Sequence, residues 1–193
     1  MKFNVADLID QLNTETPVEP ATLAKTLKLT KKTDKHSLEL ALEALVRLQI
    51  IERNDESGWL RVDHEELIEA RLRCSSKGFC FAIRDDGGDD IYIRDHQLNH
   101  AWNGDRVLVR VTRDGGRRRS PEGGVQCILE RATTSLICQV ERQDDQLVAI
   151  PLDDRVLATI QLTDGDAQYV QSEPVTSVVE VQLDRYPVAQ CPA

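Results

Sequence analysis

KGFCFAIRDDGGDDIYI, residues Lys77–Ile93, alternates in steps of two. Phe79 and Phe81 fall on one face of an extended chain, and Gly78, Cys80 and Ala82 on the other. The run Asp85–Asp90 interrupts the pattern with Asp and Gly, and Ile91–Ile93 resumes it, which predicts a β-hairpin. Large apolar side chains usually end inside a fold, so one reading makes Phe79 and Phe81 core. The other makes them an exposed platform on which bases stack, worth roughly 1–3 kcal/mol per base. Neighbouring residues favour the platform. Tyr92 lies on the partner strand and Lys77 precedes the rings. The segment Leu67–Cys74 also alternates, with Ile68, Ala70, Leu72 and Cys74 on one face and Glu69, Arg71 and Arg73 on the other. Rings flanked by cations on one sheet face suit single-stranded nucleic acid.

Further along, Gly104–Val111 reads GDRVLVRV, a strand. An arginine run, Arg117, Arg118 and Arg119, lies in the Gly-rich loop Asp114–Gly124. Such a run is either a solvated loop or, beside an aromatic platform, a phosphate clamp. The segment Glu122–Thr133, EGGVQCILERAT, closes the set with Val125, Cys127 and Leu129 alternating. The paired strands KGFCFAI and DIYI resemble the RNA-binding strands of cold-shock domains, five-stranded OB-type barrels. With GDRV and ILER in that order, the chain resembles the N-terminal region of the ribonuclease II / ribonuclease R family of processive 3′→5′ exoribonucleases. Cys80 stands where that family's pattern usually has Gly, and it is expected to face inward.

The resemblance covers roughly Leu67–Asp184, and nearly the whole chain with the leading helices. It implies an α+β multi-domain fold: a winged helix-turn-helix over 1–66, a first cold-shock/OB domain over 67–132, and a second, incomplete one over 133–193. The implied partner is single-stranded RNA. Phe79, Phe81 and Tyr92 would stack bases, while Lys77, Arg71, Arg73, Arg117, Arg118 and Arg119 would meet phosphates. The family's cleavage chemistry resides in a separate catalytic domain where Asp side chains hold magnesium. That domain is expected beyond this chain, so the segment is expected to bind and guide RNA, with no cofactor of its own, and not to cut it.

The chain has 193 residues, room for three small modules, and a net charge of −9. That charge opposes a polyanionic partner until it is divided. Residues 1–67 carry 9 basic and 13 acidic side chains, net −4. Residues 68–131 carry 12 and 10, net +2, and residues 132–193 carry 3 and 10, net −7. Phosphates respond to local charge within a Debye length, and the aromatic module is the basic one. No apolar run reaches the ~20 residues of a membrane span. The N-terminus MKFNVADLIDQL has no signal-peptide core, which points to the cytoplasm. Five cysteines, Cys74, Cys80, Cys127, Cys138 and Cys191, form no C-x-x-C pair, and their odd count and wide spacing suggest reduced, mostly buried thiols.

Residues 1–62 predict a helix around Phe3, Leu8, Ile9 and Leu12, a second over Ala21–Leu27 entered by Pro20, a polar loop Lys28–Lys35, and a third over Ser37–Gln49. A hairpin of Ile50–Arg53 and Trp59–Val62, turning at Asn54–Gly58, completes the winged-helix order. The third helix shows Glu39 and Glu43 beside Arg47, a poor surface for duplex reading, although Lys28, Lys31, Lys32 and Lys35 leave duplex contact open. Trp102 is read as packing or as a further stacking ring. Strands over Leu136–Glu141, Leu147–Pro151, Ala158–Leu162 and Ser177–Leu183 are spaced like the first four of a second barrel, and Tyr186–Ala193 falls where its last strand should follow.

Clusters with the residue types of catalytic or metal sites read better as structure. Asp85, Asp86, Asp89 and Asp90 sit in a hairpin turn, and Asp153–Asp154 and Asp164/Asp166 read as solvated turns. His36, His64, His96 and His100 show no ligand spacing with carboxylates. The alternative to an exoribonuclease front end is a stand-alone nucleic-acid-binding protein, an RNA chaperone or a winged-helix regulator. A protein-interaction module built on the acidic second barrel is a third reading.

Overall fold

A computed structural model describes residues 3–54, 58–63, 67–117, 119–143, 146–171 and 178–187. Arg118, His64, Cys191, the centre of the expected turn at 55–57 and the segment 188–193 lie outside the described residues.

The chain opens with three helices, α1 (Val5–Ile9), α2 (Pro20–Thr26) and α3 (Lys32–Arg47). Asn4 starts α1 with a reciprocal cap. Its Oδ1 accepts the Asp7 N–H at 2.6 Å, and the Asp7 carboxylate accepts the Asn4 N–H at 3.0 Å. Pro20 occupies the first turn of α2, where its missing N–H costs nothing. The third helix begins at Lys32, inside the stretch expected to be a polar loop. Its first turn carries Asp34, which suits the positive end of the helix dipole, and the good helix propensity of Lys32 and Lys35 offsets their unfavourable charge there. Leu38, Leu42 and Leu45 form its buried stripe. The strands β1 (Ile51–Asn54) and β2 (Gly58–Arg61) pair antiparallel, and Val18 and Trp59 exchange two backbone hydrogen bonds of 2.9 Å that tie the hairpin to the segment before α2.

Five strands then close a barrel: β3 (Leu67–Cys74), β4 (Cys80–Arg84), β5 (Ile91–Ile93), β6 (Arg106–Arg113) and β7 (Glu122–Glu130), in spatial order β3-β4-β5-β7-β6. All pairings are antiparallel except β5–β7. This is the OB-type order, with closure through the parallel pair. Ala70, Leu72, Cys80, Ala82, Ile91, Ile93, Val107, Val109 and Val125 fill the interior.

Two strands depart from simple alternation. Leu108 faces out of the barrel yet is buried, because it joins Leu129 in the same cluster as the helical residues Leu8, Leu38 and Leu42. The expected alternation Val125, Cys127, Leu129 likewise changes face. Val125 lies in the barrel, whereas Leu129 and Cys127 pack with the helices. Leu129 and Gln126 of β7 have no β6 partner, where the register shifts between Arg106 and Val107 and between Leu108 and Val109, and these bulges move the phase of the β6–β7 pairing.

A second sheet holds β8 (Ser135–Gln143), β9 (Gln146–Pro151), β10 (Ile160–Gln161) and β11 (Val178–Gln182) in the order β10-β9-β8-β11, all antiparallel. Between β10 and β11 lies the helix α4 (Asp164–Gln171), where a solvated turn was expected. Eight residues containing Gly165 give a weak helical pattern, but Thr163 Oγ1 accepts the Asp166 N–H at 3.3 Å and both aspartates fall in the first turn. Trp102 belongs to this sheet's core with Leu136, Cys138, Ala149, Val156 and Ile160, which settles it as a packing residue. Beneath it the buried Asp105 carboxylate accepts the Trp102 and Ala132 N–H groups at 2.8 and 2.9 Å and an Arg131 Nη1–H at 3.0 Å. The Arg131 guanidinium lies 4.2 Å from the Tyr186 ring centre, so one carboxylate organises the junction of barrel and second sheet.

The expectation of uniformly reduced thiols fails at one place. Cys74 and Cys80 are disulfide-bonded, because hairpin register sets them directly opposite each other although their spacing matches no redox motif. Cys127 and Cys138 are free.

Gly123 lets β7 close the barrel. A Cβ there would lie 2.7 Å from the Arg110 carbonyl oxygen and 2.8 and 2.9 Å from the Val109 and Ile91 side chains. Overpacking at such a site costs about 1–3 kcal/mol, so Gly123→Ala is expected to lower chemical-denaturation stability by that amount. A variant as stable as the parent would show that the closure has slack.

Candidate nucleic-acid interface

Register decides which side chains share the barrel's outer face. Cys80 pairs with Ile93, Phe81 with Tyr92 and Ala82 with Ile91. The first and third pairs are buried, which leaves the middle pair outside. Phe79 sits one step before β4 and joins them. Ring centres are 6.2 Å apart for Phe79–Phe81, 5.8 Å for Phe79–Tyr92 and 5.6 Å for Phe81–Tyr92. All three rings are half-buried, and none belongs to a core cluster. Their edge-to-face and tilted contacts hold one another in place while leaving ring surface open.

Cations border the cluster. Arg73 pairs directly with Phe81 across β3–β4 and is exposed. Arg71 follows two residues away on the same face, where its Nη1 donates to the Gly104 carbonyl at 2.9 Å. Lys77 is exposed in the loop between β3 and β4. Arg117 and Arg119 are exposed in the loop joining β6 to β7, whose Gly116 and Arg119 pair through their backbones at 2.9 and 3.0 Å. This loop ends at Pro121, whose carbonyl accepts the Tyr92 N–H at 2.8 Å, so it is anchored beside the rings.

Two further cations escaped the sequence reading. Glu122 lies opposite Tyr92 in the parallel pairing, and Arg94 and Arg113 approach its carboxylate at 3.2 and 3.5 Å. The parallel closure of β5 on β7 brings Arg94 to Glu122, and the antiparallel β6–β7 register sets Arg113 opposite it. The signal in sequence, a single Arg following IYI, is too weak to find them.

The acidic turn beside the platform is accounted for internally. Arg84 Nε donates to Asp86 Oδ1 at 2.8 Å, and the Gly88 N–H donates to the same oxygen at 3.0 Å. The Arg84 hydrogen bond foremost, with the Gly88 N–H, holds the Asp86 carboxyl down to about 2. Among the described residues no three His, Cys, Asp or Glu side chains are grouped to hold a metal ion. Also among the described residues, no helix is long and apolar enough to cross a membrane.

An OB-type barrel with a half-open aromatic face and a cationic border defines a class of protein, and comparison with known proteins places it more narrowly. Residues 70–128 match the family model of the ribonuclease B OB domain, and residues 6–62 match that of the N-terminal domain of cyanobacterial RNase R. The chain is 43% identical over all 193 residues to the acetazolamide conferring resistance protein zam of Synechocystis sp., of which it covers 24%. It is 26% identical over 155 residues, 80% of its length, to ribonuclease R of Acidithiobacillus ferrooxidans, of which it covers 35%. Among solved structures it is similar to Mycoplasma genitalium RNase R in complex with ribose-methylated single-stranded RNA, at 20% identity and a TM-score of 0.48, over 62% of this chain and 19% of that one. The chain belongs to the ribonuclease II/R family and corresponds to its N-terminal region. It spans about a quarter to a third of the length of the two curated relatives named.

Because Asp86 is depressed in the folded state, its pairing favours the fold above the ordinary carboxylate range and is lost as pH falls toward 2. A carboxyl-detected NMR titration is expected to find Asp86 titrating at about 2, and Arg84→Ala to move it back toward the ordinary value of 3.8. An unmoved midpoint in the variant would detach Arg84 from the turn.

Proposed function

We propose that this chain binds single-stranded RNA on the outer face of its first barrel and directs it toward the catalytic domain of a ribonuclease II/R-type 3′→5′ exoribonuclease. One observation carries the proposal: Phe79, Phe81 and Tyr92 form a continuous half-open cluster, with Arg73 directly across from Phe81 and Lys77 exposed two residues before Phe79. Stacked bases would complete the burial of the rings, and the flexible cations would follow the phosphates without reading sequence. The run Arg117, Arg118 and Arg119 is assigned the same role. Cleavage, with its magnesium, is assigned to a domain outside these residues, and the location to the cytoplasm.

The finer architecture follows from the same family. The helix-helix-helix-hairpin order of 1–66 supports a winged helix-turn-helix. Duplex reading by α3 gains little from its exposed Glu39 and Glu43. The order β10-β9-β8-β11 is that of an OB barrel's strands 3-2-1-4, with α4 in the position between strands 3 and 4 that Asp95–Gln97 occupies in the first barrel. This supports a second OB unit over 133–193. Its charge of −7 assigns it a weak part, at most, in holding the strand.

A filter-binding titration of poly-A RNA, duplex RNA and duplex DNA tests the proposal. The chain is expected to prefer the single strand. Phe79→Ala with Phe81→Ala is expected to weaken that binding about tenfold or more, with the thermal midpoint retained. Equal affinity for all three ligands, or an unaltered affinity in the folded double variant, would overturn it.

A further inference from the structure

The disulfide is placed where it can govern the platform. Cys74 ends β3 and Cys80 begins β4, so the bond spans the loop 75–79 that carries Lys77 and Phe79. The Cys74 N–H donates to Asn103 Oδ1 at 2.9 Å rather than across the hairpin. Without the sulfur bridge, the loop is held by the Ser75 N–H to Phe79 carbonyl bond at 2.9 Å, the Gly78 N–H to Ser75 carbonyl bond at 3.1 Å and the Lys77 N–H to Ser75 Oγ bond at 3.2 Å. Phe79 lies outside β4 and reaches Phe81 and Tyr92 only while this loop keeps its shape.

The two sulfurs differ in access. Cys80 is 1% exposed inside the barrel. Cys74 is half-buried, and although both cysteines line the same open groove with Ser75 and Gly78, Cys74 is the more exposed of the two. The free thiols among the described residues, Cys127 and Cys138, are poor competitors for exchange. Burial pushes Cys127 up to about 11 and raises Cys138, so both stay protonated near neutral pH.

We propose that Cys74 and Cys80 form a reversible dithiol–disulfide pair that sets the chain's affinity for single-stranded RNA, a proposal that rests on the binding face assigned above. The reductant is a dithiol. Its thiolate attacks Cys74 Sγ from the groove, the S–S bond breaks, and Cys80 leaves as a thiolate that takes up a proton. The second thiol of the reductant then attacks the mixed disulfide, releases Cys74 as a thiol and leaves the reductant as a disulfide. Two electrons and two protons pass to the chain. The oxidised form holds Phe79 in the ring cluster before RNA arrives, and the reduced form must order the loop on binding.

The test equilibrates the full chain with oxidised or reduced dithiothreitol. Thiols are counted by mass after alkylation in denaturant, with the linked pair located by peptide mapping, and poly-A RNA affinity is measured in each state. The oxidised chain is expected to show two fewer thiols, mapped to Cys74 and Cys80. It is expected to bind about 2- to 10-fold tighter, the range set by ordering one or so side chains. Cys74→Ser is expected to abolish the difference, and Cys74→Ala to do the same should the serine disturb the loop. Equal thiol counts in both buffers, or a formed bond with unchanged affinity, overturn the proposal. Loss of RNA binding in both states would instead sink the binding face and the gating with it, while the thiol count still decides whether the link exists.

Discussion

Cys80 and Ala82 on β4, with Ile91 and Ile93 on β5, fill the barrel against Val107, Val109 and Val125, and this filling sends Phe81 and Tyr92 to the outside. Strand side chains have a period of two, so a slip of one residue would drive the rings inward and bring Cys80 and Ala82 out. The interior has no room for that exchange, since even a Cβ on Gly123 would press on Val109 and Ile91. Close packing of small and branched residues thus fixes the position of the large ones. An aromatic face left half-open is an unmet opportunity for burial, and a flat partner with charged edges meets it best.

The same barrel is held on both flanks. Leu108 and Leu129 enter the core of the three helices, and Arg106 pairs with both Glu69 of β3 and Asp10 beyond α1. At the other end, Asp105 draws Trp102, Arg131 and Ala132 together under the second sheet, and the Tyr186 hydroxyl donates to the Thr133 carbonyl. The basic barrel, at +2, therefore sits between units of −4 and −7. Under the proposed function, an RNA strand on the rings would meet repulsion on either side, which favours a defined track across the barrel over diffuse adsorption.

Much of this was legible in sequence because it depends on local period and composition. The five strands of the barrel, the ring pair and its cross-strand partner, and the four strands of the second sheet follow from alternation and turn residues. What was hidden depends on pairing at long range. The burial of Leu108 requires the helices to dock on the barrel, and the change of face along β7 requires a shift in its register with β6. The Cys74–Cys80 bond follows from hairpin register rather than from a motif. Arg94 and Arg113 join the site through Glu122, which meets Tyr92 only because the barrel closes. Asp105 read as one charge in a strand motif, yet its three hydrogen bonds make it an organising group.

Photo-cross-linking of the chain to a short single-stranded RNA, with the adducts located by mass spectrometry, tests the central claim most directly. The expected result is adducts at Phe79, Phe81 or Tyr92, with lesser ones in the loop of Arg117 and Arg119. Adducts confined to the three helices or to the second sheet, with the ring peptides unmodified, would contradict it.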